Sequence, residues 1–265
     1  MLLKSLRKKV DRFCSILESF FSQSWLNPFA TVWLCFRCLE LKDAARLPVW
    51  AYGRPRLCSL KGRIILIGDV KTGAIKVNYI RPWAPSLMTG QTELINDGEM
   101  QLAAGVVIGT GCRIKVHKGG VLQLGEDVLL ADESIVNCTV TISVGDRSQV
   151  THRCLLNNEV TDTEKQSNNH QSPAAHADII IGKECWVCNA SAIEGGGNLG
   201  DNLILTSNSV CGSDFSDVTP YDIIGGIPAK IIGHGNRRVW DHRQELELID
   251  FFDNNPEGTY LMDEA

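Results

Sequence analysis

Between Ile181 and Ser216 the chain divides into six consecutive hexads, opened by Ile181, Val187, Ile193, Leu199, Leu205 and Cys211. The second residue of a hexad is Gly in three of the six, and the fifth is small in four. A period of six is neither the 3.6 of a helix nor the plain alternation of an open strand. It fits a short strand, a tight corner and another short strand, so that three hexads, about 18 residues, close one triangular coil. The first residue of each hexad points inward, and the small residues relieve crowding where the backbone turns. One coil cannot bury its inner face alone, so successive coils must stack at the ~4.8 Å strand spacing.

Weaker coils precede this run. Leu124, Leu130 and Val136 mark one, and Val144, Val150 and Leu156 another, with Ile142 and Ser143 slipping the register between them. Ile108-Gly109 and Ile114 suggest an earlier partial turn, and short runs such as Arg63–Gly68 and Ala74–Val77 read as strands with tight corners. A polar excursion, residues 162–178, interrupts the winding just before Ile181; it is rich in Asn, Gln, Ser and His and carries Pro173. A long polar loop thrown from a regular solenoid points to function.

Residues 2–21 read as an amphipathic helix, with Leu2, Leu3, Leu6, Val10, Phe13, Leu17, Phe20 and Phe21 on one side. Its basic residues, Lys4, Arg7, Lys8, Lys9 and Arg12, leave two readings open: packing on the body of the protein, or peripheral contact of residues 1–24 with an anionic membrane. Phe29–Leu41 is a second helix candidate, and the apolar residues from Trp240 to Phe252 suggest a short C-terminal helix folded onto the prism or a neighbouring subunit. The chain therefore divides into a helical segment 1–50, a coil domain 51–232 containing the excursion, and a tail 233–265. No segment of ~20 uninterrupted apolar residues calls for a membrane span, and the N-terminus fits a signal peptide poorly.

A net charge of −5 gives no global basic field, so nucleic acid is not an expected partner. The ten cysteines form no disulfide-like framework and read as free thiols in a reducing cytoplasm. Cys35/Cys38 and Cys185/Cys188 could supply four zinc thiolates, but Cys185 and Cys188 fall in the repeat, Cys185 in a slot that calls for a small residue, and no metal is expected.

The segment Ile180-Ile181-Gly182-Lys183-Glu184-Cys185-Trp186-Val187 and the closing Asp222–Ile232, with its Pro228-Ala229-Lys230, resemble the hexapeptide-repeat acyltransferases, including bacterial sugar and surface-polysaccharide O-acetyltransferases. Arg46-Leu47-Pro48-Val49, Tyr52-Gly53 and Ser59–Gly62 extend the likeness over nearly the whole chain. The resemblance implies an all-β-dominated fold, a left-handed parallel β-helix with N-terminal helices and a short C-terminal helix. It also implies a homotrimer that binds acetyl-coenzyme A between neighbouring prisms and acetylates a sugar hydroxyl. Trp186, Ser191, Ser209, Gly212, Ser213 and Lys230 occupy slots that line the coenzyme in such enzymes, although Gly212-Ser213 stands where many members have Thr-Lys.

Related sugar acetyltransferases place a general-base histidine in Asp-x-Asp-x-His at the start of the excursion. Here Asp162 opens the stretch and Gln166 fills the histidine slot, and an amide takes no proton at neutral pH. Within the excursion, His170 and His176 are the candidate replacements, because an imidazole titrates near physiological pH. His117 and His152 read as surface or corner residues, and His234 and His242 as structural. The alternative to an enzyme is a non-catalytic β-helix binding or assembly subunit that has lost its base. No G-x-S-x-G elbow supports a hydrolase, and Gly195-Gly196-Gly197 reads as a tight corner.

Overall fold

The computed structural model describes residues 24–80, 90–159, 176–235 and 242–259. Among them the chain winds a three-sided parallel β-helix. Sheet 1 has nine strands, from Val49–Ala51 to Lys230–Gly233; sheet 2 has seven, from Arg56–Leu60 to Val210–Cys211; sheet 3 has seven, from Arg63–Ile67 to Asp214–Phe215. The chain visits them in the order 1, 2, 3 and repeats, and every neighbouring pair is parallel except the last in sheet 1.

The interior consists of aliphatic columns, one residue per coil. In sheet 1, Ile108, Leu130, Val150, Val187, Leu205 and Ile224 follow one another in register, each fully buried. Sheet 2 stacks Leu94, Ile114, Val136, Leu156, Ile193 and Cys211, and sheet 3 stacks Leu102, Leu124, Val144, Ile181 and Leu199. The residues that open the hexads thus share one core, as the repeat requires. The alternation is local: Ile181 is buried and Ile180 beside it is exposed.

From Val107 onward, two of the three corners each place one residue in the left-handed region. Between sheets 3 and 1 the turn passes through Asp127, Arg147, Glu184, Asn202 and Tyr221, all with φ between 54° and 71°. Between sheets 1 and 2 it passes through Gly111, Glu133, Arg153, Ala190 and Asn208, again in the left-handed region. Carboxylates one coil further on cap these turns: Asp146 accepts from the Glu126 N–H at 2.9 Å, Asp201 from Lys183 at 2.7 Å and Asp132 from Thr110 at 2.7 Å. Gly182 is glycine for that reason. A Cβ there would run into Asp201 of the next coil.

The third corner, between sheets 2 and 3, is irregular. From Ile193 to Leu199 it takes a plain hexad, but from Val136 to Val144 two residues more. Ile142 and Ser143 do not form a loop; they lengthen the strand Thr141–Val144, and Ile142 is itself buried.

Helix α1, Pro28–Cys38, closes the N-terminal end of the prism. Asn27 caps it by accepting from Ala30 N–H at 3.0 Å, with Pro28 in its first turn. Its inner face, Thr31, Leu34, Cys35 and Cys38, packs on the first coil, where Thr31 Oγ1 accepts the otherwise open Ala51 N–H at 3.0 Å. The helix ends three residues before the expected Leu41, because Leu39 is extended, and a short α2, Leu41–Ala44, follows. The opposite face of α1 carries Phe29, Val32, Trp33 and Phe36, all exposed, with Phe29 at 86%. The expected helix over 2–21 lies outside the described residues. A C-terminal helix, α3, spans His242–Asn254, with Ile249 and Phe252 exposed.

Candidate functional site

The irregular corner between sheets 2 and 3 is where the excursion leaves and re-enters the prism. The last described residue before it, Glu159, forms an antiparallel bridge with the first one after it, His176. This neck is tied down from the coil beneath. Asn158 is fully buried; its Oδ1 accepts from Thr139 N–H at 2.8 Å and its Nδ2 donates to Thr141 O at 3.0 Å, which orients the amide. The Thr139 hydroxyl lies 3.0 Å from that same Oδ1 and 3.2 Å from His176 Nδ1. The hydroxyl thus lies between the Asn158 amide oxygen, which only accepts, and the imidazole, whose tautomer sets the direction of the contact with Nδ1. The contact engages Nδ1 and leaves Nε2 outside it, on an exposed imidazole at the prism edge. Asp178 holds the re-entering strand by accepting from Thr141 N–H at 3.1 Å.

Of the expected base residues, His176 is therefore at the neck, while Asp162, Gln166 and His170 lie outside the described residues. Thr139, Asn158 and Glu159 were not singled out from the sequence. The two-residue excess between Val136 and Val144 was the signal that marked their corner.

The expected coenzyme residues fall in three places. Ser191 and Ser209 stand in the inward column of the corner between sheets 1 and 2, in line with Cys112, Ser134 and Cys154, and each is 1% exposed. Ser191 Oγ donates to Thr206 O at 2.9 Å; Ser209 Oγ lies 3.0 Å from Thr206 Oγ1 and accepts from Gly226 N–H at 3.0 Å. These hydroxyls brace successive coils. Trp186 projects from the outer face of sheet 1, between Gln149 and Ile204, and is 38% exposed. Lys230 is exposed on the terminal antiparallel strand beside Gly225. Gly212 and Ser213 are exposed on the sheet 2–sheet 3 edge, two coils beyond the neck.

His152 and His234 sit apart. His152 Nδ1 is 3.7 Å from Asp132 at the sheet 1–sheet 2 corner, and His234 Nδ1 is 2.7 Å from the buried Asp222 at the C-terminal end. Three of the thiols are inward corner groups: burial pushes Cys112 up to about 12 and Cys154 and Cys185 to about 11, far from nucleophilic at neutral pH. Among the described residues no group of three or more His, Cys, Asp or Glu is arranged to hold a metal ion.

No protein-family model and no curated protein sequence matches the chain. Solved structures do resemble it. A mutant of AntD, an N-acyltransferase from Bacillus cereus in complex with dTDP and coenzyme A, is 17% identical over 62% of this chain and 85% of that one, with a TM-score of 0.44. The polysialic acid O-acetyltransferase OatWY is 18% identical over 71% and 92%, with a TM-score of 0.42. A maltose O-acetyltransferase from Clostridium difficile 630 is 20% identical over 43% and 58%, with a TM-score of 0.36. Likenesses this distant leave the reading of the site to its residues.

Proposed function

We propose that the chain is an acetyl-coenzyme A-dependent O-acetyltransferase acting on a sugar hydroxyl of a surface polysaccharide or its precursor. The observation that carries the reading is the neck of the excursion, where an exposed imidazole is held through Nδ1 on the edge of a rigid prism. His176 Nε2 takes the proton of the acceptor hydroxyl as that oxygen attacks the thioester carbonyl. It then returns the proton to the departing sulfur. The donor, when bound, supplies an activated acyl group. The exposed Trp186 offers a flat apolar surface for it and Lys230 a cation for its phosphates. The Gly212-Ser213 edge lets the chain approach closely where no side chain projects from Gly212. His170, Asp162 and Gln166 belong to the excursion, and His170 is the rival base.

The test is acetyl-coenzyme A turnover with candidate sugars, followed by thiol release. His176→Ala is expected to lower kcat about 10²–10⁴-fold, and an unchanged rate in both His176→Ala and the His170/His176 double variant would overturn the base assignment. Calorimetric titration separates the enzyme from a non-catalytic assembly subunit. Micromolar binding of acetyl-coenzyme A supports the enzyme, and no binding at millimolar concentration supports the subunit.

Three finer points belong to the same proposal. A homotrimer would cover outward apolar residues such as Ile65, Ile67 and Ile180, and sedimentation equilibrium tests it. A cytoplasmic setting agrees with the free thiols of the described cysteines. Peripheral membrane contact through residues 1–24 gains support from the exposed Phe29, Val32, Trp33 and Phe36, which adjoin that basic segment in the chain. Among the described residues no helix is long and apolar enough to cross a membrane. In the division into 1–50, 51–232 and 233–265 the first boundary falls inside the strand Val49–Ala51, and limited proteolysis tests where the prism begins.

A further inference from the structure

The outer face of sheet 2 carries a cleft of about 340 Å³ that runs toward the neck. Ile95 and Ile135 give it an apolar wall, Glu93, Arg113 and Lys115 line its side, and Asn137 stands at the end nearest the corner. Arg113 and Lys115 share one face of the strand Arg113–Val116, about 7 Å apart by the two-residue repeat. Both are exposed, and among the described residues neither makes an ion pair. Glu93, the one carboxylate in the wall, turns instead to Arg56 at 3.8 Å and Cys58 at 3.4 Å. Arg113 is the in-register neighbour of Glu93, so the wall carries two cations against one carboxylate, and with the apolar strip it suits a ligand with an anionic group and a less polar ring face.

The far end of the cleft is rigid. Asn137 Nδ2 donates to Asn157 Oδ1 at 2.9 Å and to Glu159 Oε2 at 2.8 Å, so its Oδ1 must face His117 Nε2, 2.8 Å away, which donates to it. Both amide hydrogens are used, and a lone pair of Oδ1 remains for a ligand hydroxyl. The same Glu159 bridges His176, and Thr139, two residues past Asn137, holds the His176 imidazole. A ring in the cleft, anchored by its anion on Arg113 and Lys115, would present a hydroxyl toward His176.

We propose that this cleft is the acceptor subsite and that the acceptor is an acidic sugar, one bearing a carboxylate or a phosphate. The inference rests on the acyl-transfer reading above. Arg113 and Lys115 set specificity, and His117 and Glu159 are positioning residues acting through Asn137. The experiment compares glucose, glucuronic acid and glucose 6-phosphate as acceptors for the wild type and the R113Q/K115Q variant. Both substituted side chains are exposed, so folding should be unaffected. The wild type should prefer an acidic sugar in kcat/KM by about tenfold or more, the scale of a hydrogen-bonded ion pair. The variant should lose that preference through a raised KM for the acidic sugars rather than through a lowered kcat. Preference for glucuronic acid assigns a carboxylate, and preference for glucose 6-phosphate assigns a phosphate. Equal use of neutral and acidic sugars, or a variant that keeps the preference, overturns the proposal. A donor-free arm separates this from failure of acyl transfer itself: ligand-observed NMR of the two acidic sugars should show salt-sensitive binding to the wild type and not to the variant. Its absence overturns the subsite whether or not thiol is released.

Discussion

Ile180 and Ile181 are identical residues one position apart on one strand, yet 43% and 1% exposed respectively. Truncating each to Ala tests the winding directly. Ile181 stacks in register between Val144 and Leu199, in the middle of an unbroken aliphatic column. Its truncation removes three carbons from a site that neighbouring coils hold open. The transfer loss alone is about 2.4 kcal/mol at ~0.8 kcal/mol per methylene. A residual cavity brings the total to about 3 kcal/mol, within the range for buried isoleucine. For a chain of this size that is a fall in Tm of roughly 6–12 °C. Ile180 lies between Ser143 and Asn198 on the outer face and should cost under about 1 kcal/mol. Thermal and urea unfolding by circular dichroism measure both. Equal losses for the two, or a loss under about 1 kcal/mol for Ile181→Ala, would refute the inward stack.

The capped corners make an acid-sensitive contribution. The Glu126 N–H first, and then the Lys183 ammonium, hold the Asp146 carboxyl below its usual value. Its folded pKa is depressed, so the stabilisation is fully present above about pH 3.9 and lost as pH falls through the folded value. Asp146→Asn should therefore lose about 1 kcal/mol at neutral pH, with the gap closing in acid; a gap that persists at the lowest pH contradicts the assignment. Cys112 and Cys185, buried and raised to about 12 and about 11, should react with a disulfide-exchange reagent only as fast as the protein unfolds. Labelling at the rate of a free thiol would show the corner to be open. Replacing Phe29, Trp33 and Phe36 by Ser should weaken co-sedimentation with anionic vesicles about tenfold or more, and unchanged partitioning would remove the α1 face from any membrane contact.

Much of the candidate site was partly visible in the chain. The excursion and its two histidines stood out because polar residues interrupted an otherwise strict period, and His176 did prove to lie at the neck. The network around it did not stand out. Thr139, Asn158, Asn137 and Glu159 are ordinary polar residues, and only stacking coils about 20 residues apart brings them within hydrogen-bonding distance. His117 read as a corner residue for the same reason: its partner, Asn137, belongs to the next coil. Ser191 and Ser209 show the same dependence on stacking. Their slots resemble ligand-lining ones, but a small residue at the fifth position of a hexad lies on the inner side of a turn, where the next coil takes its hydroxyl.

The amino-acid order alone determined the period, and with it the triangular coil and the identity of the inward residues, because spacing along one chain settles which side chains can share a face. It also marked where the winding breaks. Only the tertiary structure decided which groups meet across coils: that the irregular corner gathers the neck, the His176 imidazole and the end of a cationic cleft, while the regular corners bury their serines and thiols. Contacts between coils depend on how many residues each turn absorbs, and that count becomes a distance only when the coils are stacked.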